Sequence, residues 1–344
     1  MKSDRFINTI GCHAAGEVGE VIISGVPEPS GDTIWQKSRF LESNNELKSL
    51  LLLEPRGGVH KHLNLILPPN NNKADFGWII MEPEYNPPMS GSNAICVVTV
   101  ILETGMVTFQ EPFTDIILEA PGGLVQARAF CKDGKVLRVE IKNLPSFVYK
   151  KNVFLEIEKL GTFKVSIAFG GDSFVLVDAH DFGFEVIPDE ASDLVRIGKR
   201  ITASANEQIG FKHPIIYGWE HISFCQFTLP TFKDEKGRLV GKNTVVIEPG
   251  KLDRSPCGTG CSARMALLSD EGKLRTSQLF LGKSILDTEF ECKIIESTNI
   301  GAINGIIPTI SGSAWITGNH TYLRSPGDPF PKGYKLSDTW PNYL

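Results

Sequence analysis

Two octapeptides decide the reading: Met89-Ser90-Gly91-Ser92-Asn93-Ala94-Ile95-Cys96 and Pro256-Cys257-Gly258-Thr259-Gly260-Cys261-Ser262-Ala263. Each carries a nucleophile type, Ser90 or Cys257, followed at once by glycine. Each runs into an apolar helical stretch with an acid 13 positions after the nucleophile, Glu103 and Asp270. Each then closes on a glycine 15 positions after it, Gly105 and Gly272, suited to a helix C-cap. Upstream, each follows an apolar run ending in Glu-Pro: Ile79-Ile80-Met81-Glu82-Pro83 and Val245-Val246-Ile247-Glu248-Pro249. Ser90 and Cys257 lie 167 residues apart in a chain of 344, close to half its length. Strand, Glu-Pro, nucleophile-Gly and capped helix recur in one order, the mark of an internal duplication.

The rest of the chain fits two such units. Short runs rich in Val, Ile and Phe read as strands: Val21–Ser24, Leu63–Leu67, Trp78–Met81, Ile116–Leu118, Val136–Ile141, Ser173–Val177, Ile222–Phe227 and Val245–Ile247. Helical patterns are few: Gly91–Glu103, Leu194–Gln208 and Gly258–Asp270, with Arg39–Leu51 weaker. Many strands with few helices predict an α+β fold, not a doubly wound parallel sheet. The expected division is an N-terminal domain, 1–160, carrying Ser90 and completed by the C-terminal segment 322–344, and a C-terminal domain, 161–321, carrying Cys257. The crossover is expected at Asn152–Phe163.

Composition narrows the function. A net charge of −5 argues against a general phosphate-backbone binder, so no nucleic-acid partner is expected. No stretch approaches the roughly 18 apolar residues of a membrane span. The opening Met1-Lys2-Ser3-Asp4-Arg5 lacks the apolar core of a secretory signal. Seven cysteines, odd in number and thinly spread, speak against a disulfide framework and for a reducing cytoplasm. Cys257 and Cys261, and His60 and His62, have partial metal-ligand spacings, but neither pair makes a full zinc set. Ser90 lacks the G-x-S-x-G elbow of a serine hydrolase. The Gly pairs at 57–58, 122–123 and 170–171 show neither a Walker lysine nor G-x-G-x-x-G, so they read as turns. No cofactor motif is evident.

A loop at a helix N-terminus presents unbonded N–H groups and the positive end of the helix dipole. Such an end binds anions, carboxylates included, and a thiol there is expected to have a lowered pKa. Two such ends facing one another would hold a carboxylate and place Ser90 and Cys257 on opposite sides of its carrier. That suits proton transfer at the carbon next to a carboxylate. Taken singly, a Ser or Cys near a helix start is most often a cap or a small core residue. The paired context, and the acid, base, turn and thiol in Asp253-Arg254-Ser255-Pro256-Cys257-Gly258-Thr259-Gly260, favour the functional reading.

That last segment resembles the signature of the proline racemase family, on the diaminopimelate-epimerase type of fold. The resemblance covers essentially the whole chain. His13…Gly16-Glu17 is similar to the family's opening motif, though Val18 stands where Pro is usual, and Glu54-Pro55-Arg56-Gly57 fits it too. The resemblance implies two similar domains, each a curled mixed sheet around a central helix, with the active site in the interdomain cleft. It implies that the N–H groups around Gly91, Ser92, Gly258 and Thr259 bind the substrate carboxylate. It further implies that Asp253 holds the ring ammonium and that Cys257 transfers a proton. A homodimer is a family-level expectation, with His13 a weaker site candidate.

One departure bears on the reaction. Proline racemases and hydroxyproline epimerases have Cys-Gly-His at the first site, where this chain has Ser90-Gly91-Ser92. An unactivated hydroxyl is a far weaker acid than a thiol, and no base is visible near Ser90 in the sequence. Two-way exchange at the α-carbon needs two groups of comparable pKa, whereas β-elimination needs only one strong base. Ser at the first site resembles the trans-3-hydroxy-L-proline dehydratases of the family. The expectation is a cofactor-independent dehydratase forming a pyrroline carboxylate. The alternatives are a 4-hydroxyproline 2-epimerase, alone or as a second activity, and a non-catalytic binder of cyclic amino acids.

Overall fold

The computed structural model describes residues 5–340. In chain order its elements are β1 (Arg5–Ala14), β2 (Glu17–Ser24), α1 (Ile34–Ser43), α2 (Glu46–Leu52), β3 (Lys61–Leu67), β4 (Phe76–Met81), α3 (Gly91–Glu103), β5 (Phe113–Ala120), β6 (Gly123–Lys132) and β7 (Lys135–Lys142). There follow β8 (Ser146–Ile157), β9 (Gly161–Phe169), β10 (Ser173–Asp178), α4 (Ala191–Gln208), β11 (Phe224–Thr228), β12 (Phe232–Lys233), β13 (Leu239–Ile247) and β14 (Lys251–Leu252). The last elements are α5 (Gly258–Asp270), β15 (Phe280–Lys283), β16 (Glu289–Ile300), β17 (Ile303–Gly312) and β18 (Ala314–Arg324).

The chain forms two compact units. The first runs to Ile141 and resumes at Gly312; the second is Lys142–Ser311. The sequence expectation put these divisions at 160/161 and 321/322. The difference has a plain cause. Asn152–Phe163, expected as the crossover, lies in β8 and β9, which pair antiparallel through Phe154↔Lys164 and Glu156↔Thr162. All of β18 is laid antiparallel along β1, from Arg5↔Arg324 to Ala14↔Ala314.

The first unit's strands run β18-β1-β2-β3-β4-β5-β6. Their pairings are antiparallel, antiparallel, parallel, antiparallel, parallel and antiparallel. In the second unit the run β8-β9-β10-β11-β13-β15-β16 repeats that series in the same order. The duplication read from two octapeptides therefore extends to the whole ladder. It is permuted at one strand: β18, from the far end of the chain, stands where β8 stands in the second unit.

Each sheet curls around one helix. α3 touches β18 at one end of its ladder and β6 at the other. In the second unit β16 pairs with β17 and β17 pairs back with β8, which closes the sheet around α5. Residues Gly91–Leu102 of α3 are all buried, so the helix is apolar all round, as an enclosed helix must be.

The two helices end alike. Gly105 and Gly272 have φ +75° and +71°, a conformation that costs glycine little. Gly105 N–H bonds the Leu102 carbonyl and Met106 N–H that of Ile101; Gly272 and Lys273 do the same to Ser269 and Leu268. Every one of these pairs is offset by the same 167 residues. The weak helical pattern at Arg39–Leu51 is two helices. Thr33 Oγ1 caps the first by accepting Gln36 N–H at 3.1 Å, and the chain breaks at Asn44-Asn45, residue types that favour helix ends.

Candidate functional site

Ser90 belongs to the first unit and Cys257 to the second. Both occupy the N-cap position of the central helix that follows a Glu-Pro strand end. Both are nearly enclosed, at 8% and 5% exposure. What holds each side chain differs.

Ser90 is extended (φ −145°, ψ 123°) and makes no side-chain cap bond. Its Oγ accepts instead from the Asn93 side chain, Nδ2 to Oγ 2.9 Å. The first backbone bond of α3 runs from Ala94 N–H to the Ser90 carbonyl, 3.0 Å. The N–H groups of Gly91, Ser92 and Asn93 precede it and have no partner within the helix. Asn93 is held in turn. Its Nδ2 also reaches His62 Nδ1 at 3.1 Å, and its Oδ1 accepts from Asn64 Nδ2 at 2.7 Å. Asn64 Oδ1 accepts the Trp78 indole N–H at 2.9 Å. His62 Nε2 lies 3.4 Å from Glu17 Oε1, and its Nδ1 lies 3.8 Å from Glu82 Oε1. All of these groups are buried. A Cβ on Gly19 would lie 2.6 Å from Asn93 Oδ1, so the strand must be bare there for the network to fit.

Cys257 has φ +62° and ψ 103°, a backbone state that L side chains rarely adopt and that costs on the order of 1–3 kcal/mol. Neighbouring bonds hold it. Its N–H donates to Ser255 Oγ at 3.1 Å, and Ser255 Oγ donates to Asp253 Oδ1 at 2.8 Å. Asp253 Oδ1 also accepts Ser255 N–H at 2.8 Å, closing an Asx turn. The Pro256 carbonyl accepts from Asn243 Nδ2 at 2.9 Å and Cys261 Sγ at 3.2 Å. The Cys257 sulfur accepts Gly260 N–H at 3.3 Å and lies 3.6 Å from Thr259 Oγ1. That leaves the N–H groups of Gly258 and Thr259 ahead of the first backbone bond, Cys261 N–H to the Cys257 carbonyl at 2.7 Å.

The sequence reading expected this thiol to have a lowered pKa. The structure reverses the sign. Burial pushes the Cys257 thiol well above its usual range, and the nearby Asp253 charge pushes it further. The Thr259 and Gly260 hydrogen bonds pull the other way and are outweighed. In a site this closed, the cost of an unsolvated thiolate exceeds what a helix end returns.

Six of the seven predicted residues thus fall at two helix starts, Ser90, Gly91 and Ser92 at one and Cys257, Gly258 and Thr259 at the other, and Asp253 lies in the turn that leads into the second. The sequence reading missed Asn93, His62, Asn64 and Trp78 beneath Ser90. The available signal was period-two polarity: His62 and Asn64 are polar residues on one face of an otherwise apolar strand, and Asn93 is one turn after Ser90. His60, its supposed H-x-H partner, is exposed. It also missed Gln226 on β11, which is fully buried with neither end of its carboxamide hydrogen-bonded among the described residues. His320 lies in a second polar cluster. With Thr9, Lys61 and Tyr322 it surrounds the buried Glu20 carboxylate. Among the described residues no three His, Cys, Asp or Glu side chains converge as metal ligands would. No helix among them is long and apolar enough to cross a membrane.

Residues 9–335 match the family model described as proline racemase. The hydroxyproline epimerase of Agrobacterium vitis, solved with bound trans-4-hydroxy-L-proline, is 34% identical; the match covers 100% of this chain and 99% of that one, with a TM-score of 0.93. A probable proline racemase from Agrobacterium radiobacter K84, solved with bound carbonate, is 35% identical over 98% of each chain, with a TM-score of 0.92. A phenazine biosynthesis protein of the PhzF family from Bacillus anthracis shares the fold at 11% identity, covering 94% of this chain and 100% of that one, TM-score 0.56.

Proposed function

The chain belongs to the proline racemase family, and from that premise we propose that it removes the α-hydrogen of a hydroxyproline. Cys257 takes the proton. The starts of α3 and α5 each offer unbonded N–H groups suited to a substrate carboxylate, where charge builds as the α-carbon becomes a carbanion. Asp253 receives the ring ammonium. The raised pKa of Cys257 gives that contact a second use. An ammonium beside Asp253 offsets the carboxylate charge that opposes thiolate formation. The base is then generated when substrate arrives.

The reading the comparisons favour is 2-epimerisation of 4-hydroxyproline. Likeness over the full length to an epimerase solved with trans-4-hydroxy-L-proline carries it. In this reading Ser90 is the residue that delivers a proton to the α-carbon.

The second reading is dehydration of trans-3-hydroxy-L-proline, and Ser90 favours it. The Ser90 oxygen is contacted by an amide donor and by no base that could take its proton, so no general base activates it. In this reading the Cα–H pair forms a Cα–Cβ double bond as the C3 hydroxyl departs. Cys257 returns the proton to that oxygen, releasing water. The enamine then tautomerises to a pyrroline carboxylate.

One experiment decides. The protein is incubated in heavy water with trans-4-hydroxy-L-proline and, separately, trans-3-hydroxy-L-proline. Inverted, deuterated product from the first supports epimerisation, and loss of the second with pyrroline formation supports dehydration. Absence of both reactions at high enzyme concentration overturns the common premise.

A further inference from the structure

Trp78 sets the direction of a hydrogen-bond chain that ends at Ser90. An indole N–H can only donate, so the Asn64 atom facing it is the carbonyl oxygen. The Asn64 amide nitrogen therefore faces Asn93, and the Asn93 atom that receives it is also a carbonyl oxygen. Asn93 is left with two hydrogens, one for His62 Nδ1 and one for Ser90 Oγ. With Asn93 donating, His62 Nδ1 must accept, which places the hydrogen of a neutral imidazole on Nε2. Each link is 3.1 Å or shorter from Trp78 to Ser90. Flipping either amide would set donor against donor in a site without exposure.

We propose that Asn93 is a positioning residue for Ser90: its carboxamide, oriented by Trp78 through Asn64, holds Ser90 Oγ as an acceptor. The serine hydrogen is thereby directed away from the protein network, and Ser90 meets the substrate as a hydrogen-bond donor. This rests on the reading above that Ser90 contacts the substrate, and it deepens that reading by fixing the polarity of the contact. The second unit has no counterpart. Its equivalent position is Gly260, whose backbone N–H, not a side chain, contacts the sulfur of Cys257. The two helix starts thus differ in polarity: Ser90 carries a hydroxyl oriented to donate, and Cys257 a sulfur that accepts.

The test is a double-mutant cycle read as α-hydrogen exchange in heavy water, with folding checked by thermal unfolding. Asn93→Asp is nearly isosteric but places an acceptor at Ser90, which turns the hydroxyl inward. It is expected to lower kcat about 100-fold with KM nearly unchanged. Added to Ser90→Ala, it should cost nothing further, because its effect passes through the hydroxyl. If Asn93→Asp does not fold, Asn93→Ala closes the same cycle by removing the donor. An impaired Ser90→Ala whose loss multiplies with that of the Asn93 variant would overturn the proposal alone, as would an Asn93 variant at full rate. A Ser90→Ala enzyme at full rate overturns the reading of Ser90 itself.

Discussion

Gly260 donates its backbone N–H to the sulfur of Cys257 at 3.3 Å, so the first turn of α5 is tied to the side chain at its own cap. The fit is close. A Cβ on Gly260 would stand 3.1 Å from that sulfur and 3.0 Å from Gln226 Nε2. Gly260→Ala removes conformational freedom that the helix does not need, so the helix itself should gain. The sulfur must nevertheless shift by a few tenths of an ångström. The expected result is an unfolding midpoint within a few degrees of wild type and a kcat/KM lowered about tenfold or more. Paired thermal unfolding and exchange assays check it.

Burial and Asp253 together keep Cys257 protonated at neutral pH. Alkylation of this residue by a small haloacetamide should accelerate with pH beyond the range of an ordinary cysteine. Asp253→Asn keeps an oxygen for Ser255 but removes the negative charge. Its alkylation profile should move to lower pH while hydroxyproline turnover is lost. Mass spectrometry of the labelled Cys257 peptide gives both profiles; coincident curves would contradict the assigned influence of Asp253.

Gln226 is completely enclosed on a strand facing α5, and its carboxamide makes no hydrogen bond among the described residues. A buried polar group in that state costs about 1–3 kcal/mol. Gln226→Met has similar volume and no such requirement. It should unfold at higher temperature than wild type, and a simultaneous fall in kcat/KM would show that the amide is kept for the substrate at a cost in stability.

Glu20 lies at 1% exposure beneath the C-terminal strand. Burial alone would raise its pKa, but bonds from Thr9, His320 and Tyr322 and the Lys61 charge outweigh it and hold the carboxyl below the usual range. A depressed folded-state pKa stabilises the protein above pH ~4.5, and that stabilisation is lost as the pH falls through the folded value. Glu20→Gln should therefore lower the urea midpoint at pH 7, where the carboxylate is paired. It should also flatten the acid-side decline of that midpoint. Because His320 and Tyr322 belong to β18, hydrogen exchange should show the loosening there first.

The sequence alone determined the two central helices to the residue: Gly91–Glu103 and Gly258–Asp270 stand as read. The reason is local. A glycine after the nucleophile opens each, an apolar run carries it, and a left-handed glycine ends it, all within 16 residues. The kinship of the halves was legible on the same ground, because a strand end, a cap and a helix leave their marks side by side.

What only the tertiary structure decided depends on residues far apart in the chain. The division between units moved to 141/142 because a hairpin and the last long strand found partners that local pattern does not name. The direction of the Cys257 shift was set by the wall around the thiol. A helix start predicts a lowered pKa, but the cost of burying charge depends on how much water the surrounding sheet excludes. Ser90 looked unaccompanied in sequence, yet Asn93, His62, Asn64 and Trp78 converge beneath it from a helix and two strands. Propensity is written residue by residue, whereas solvation and hydrogen-bond polarity belong to the assembled core.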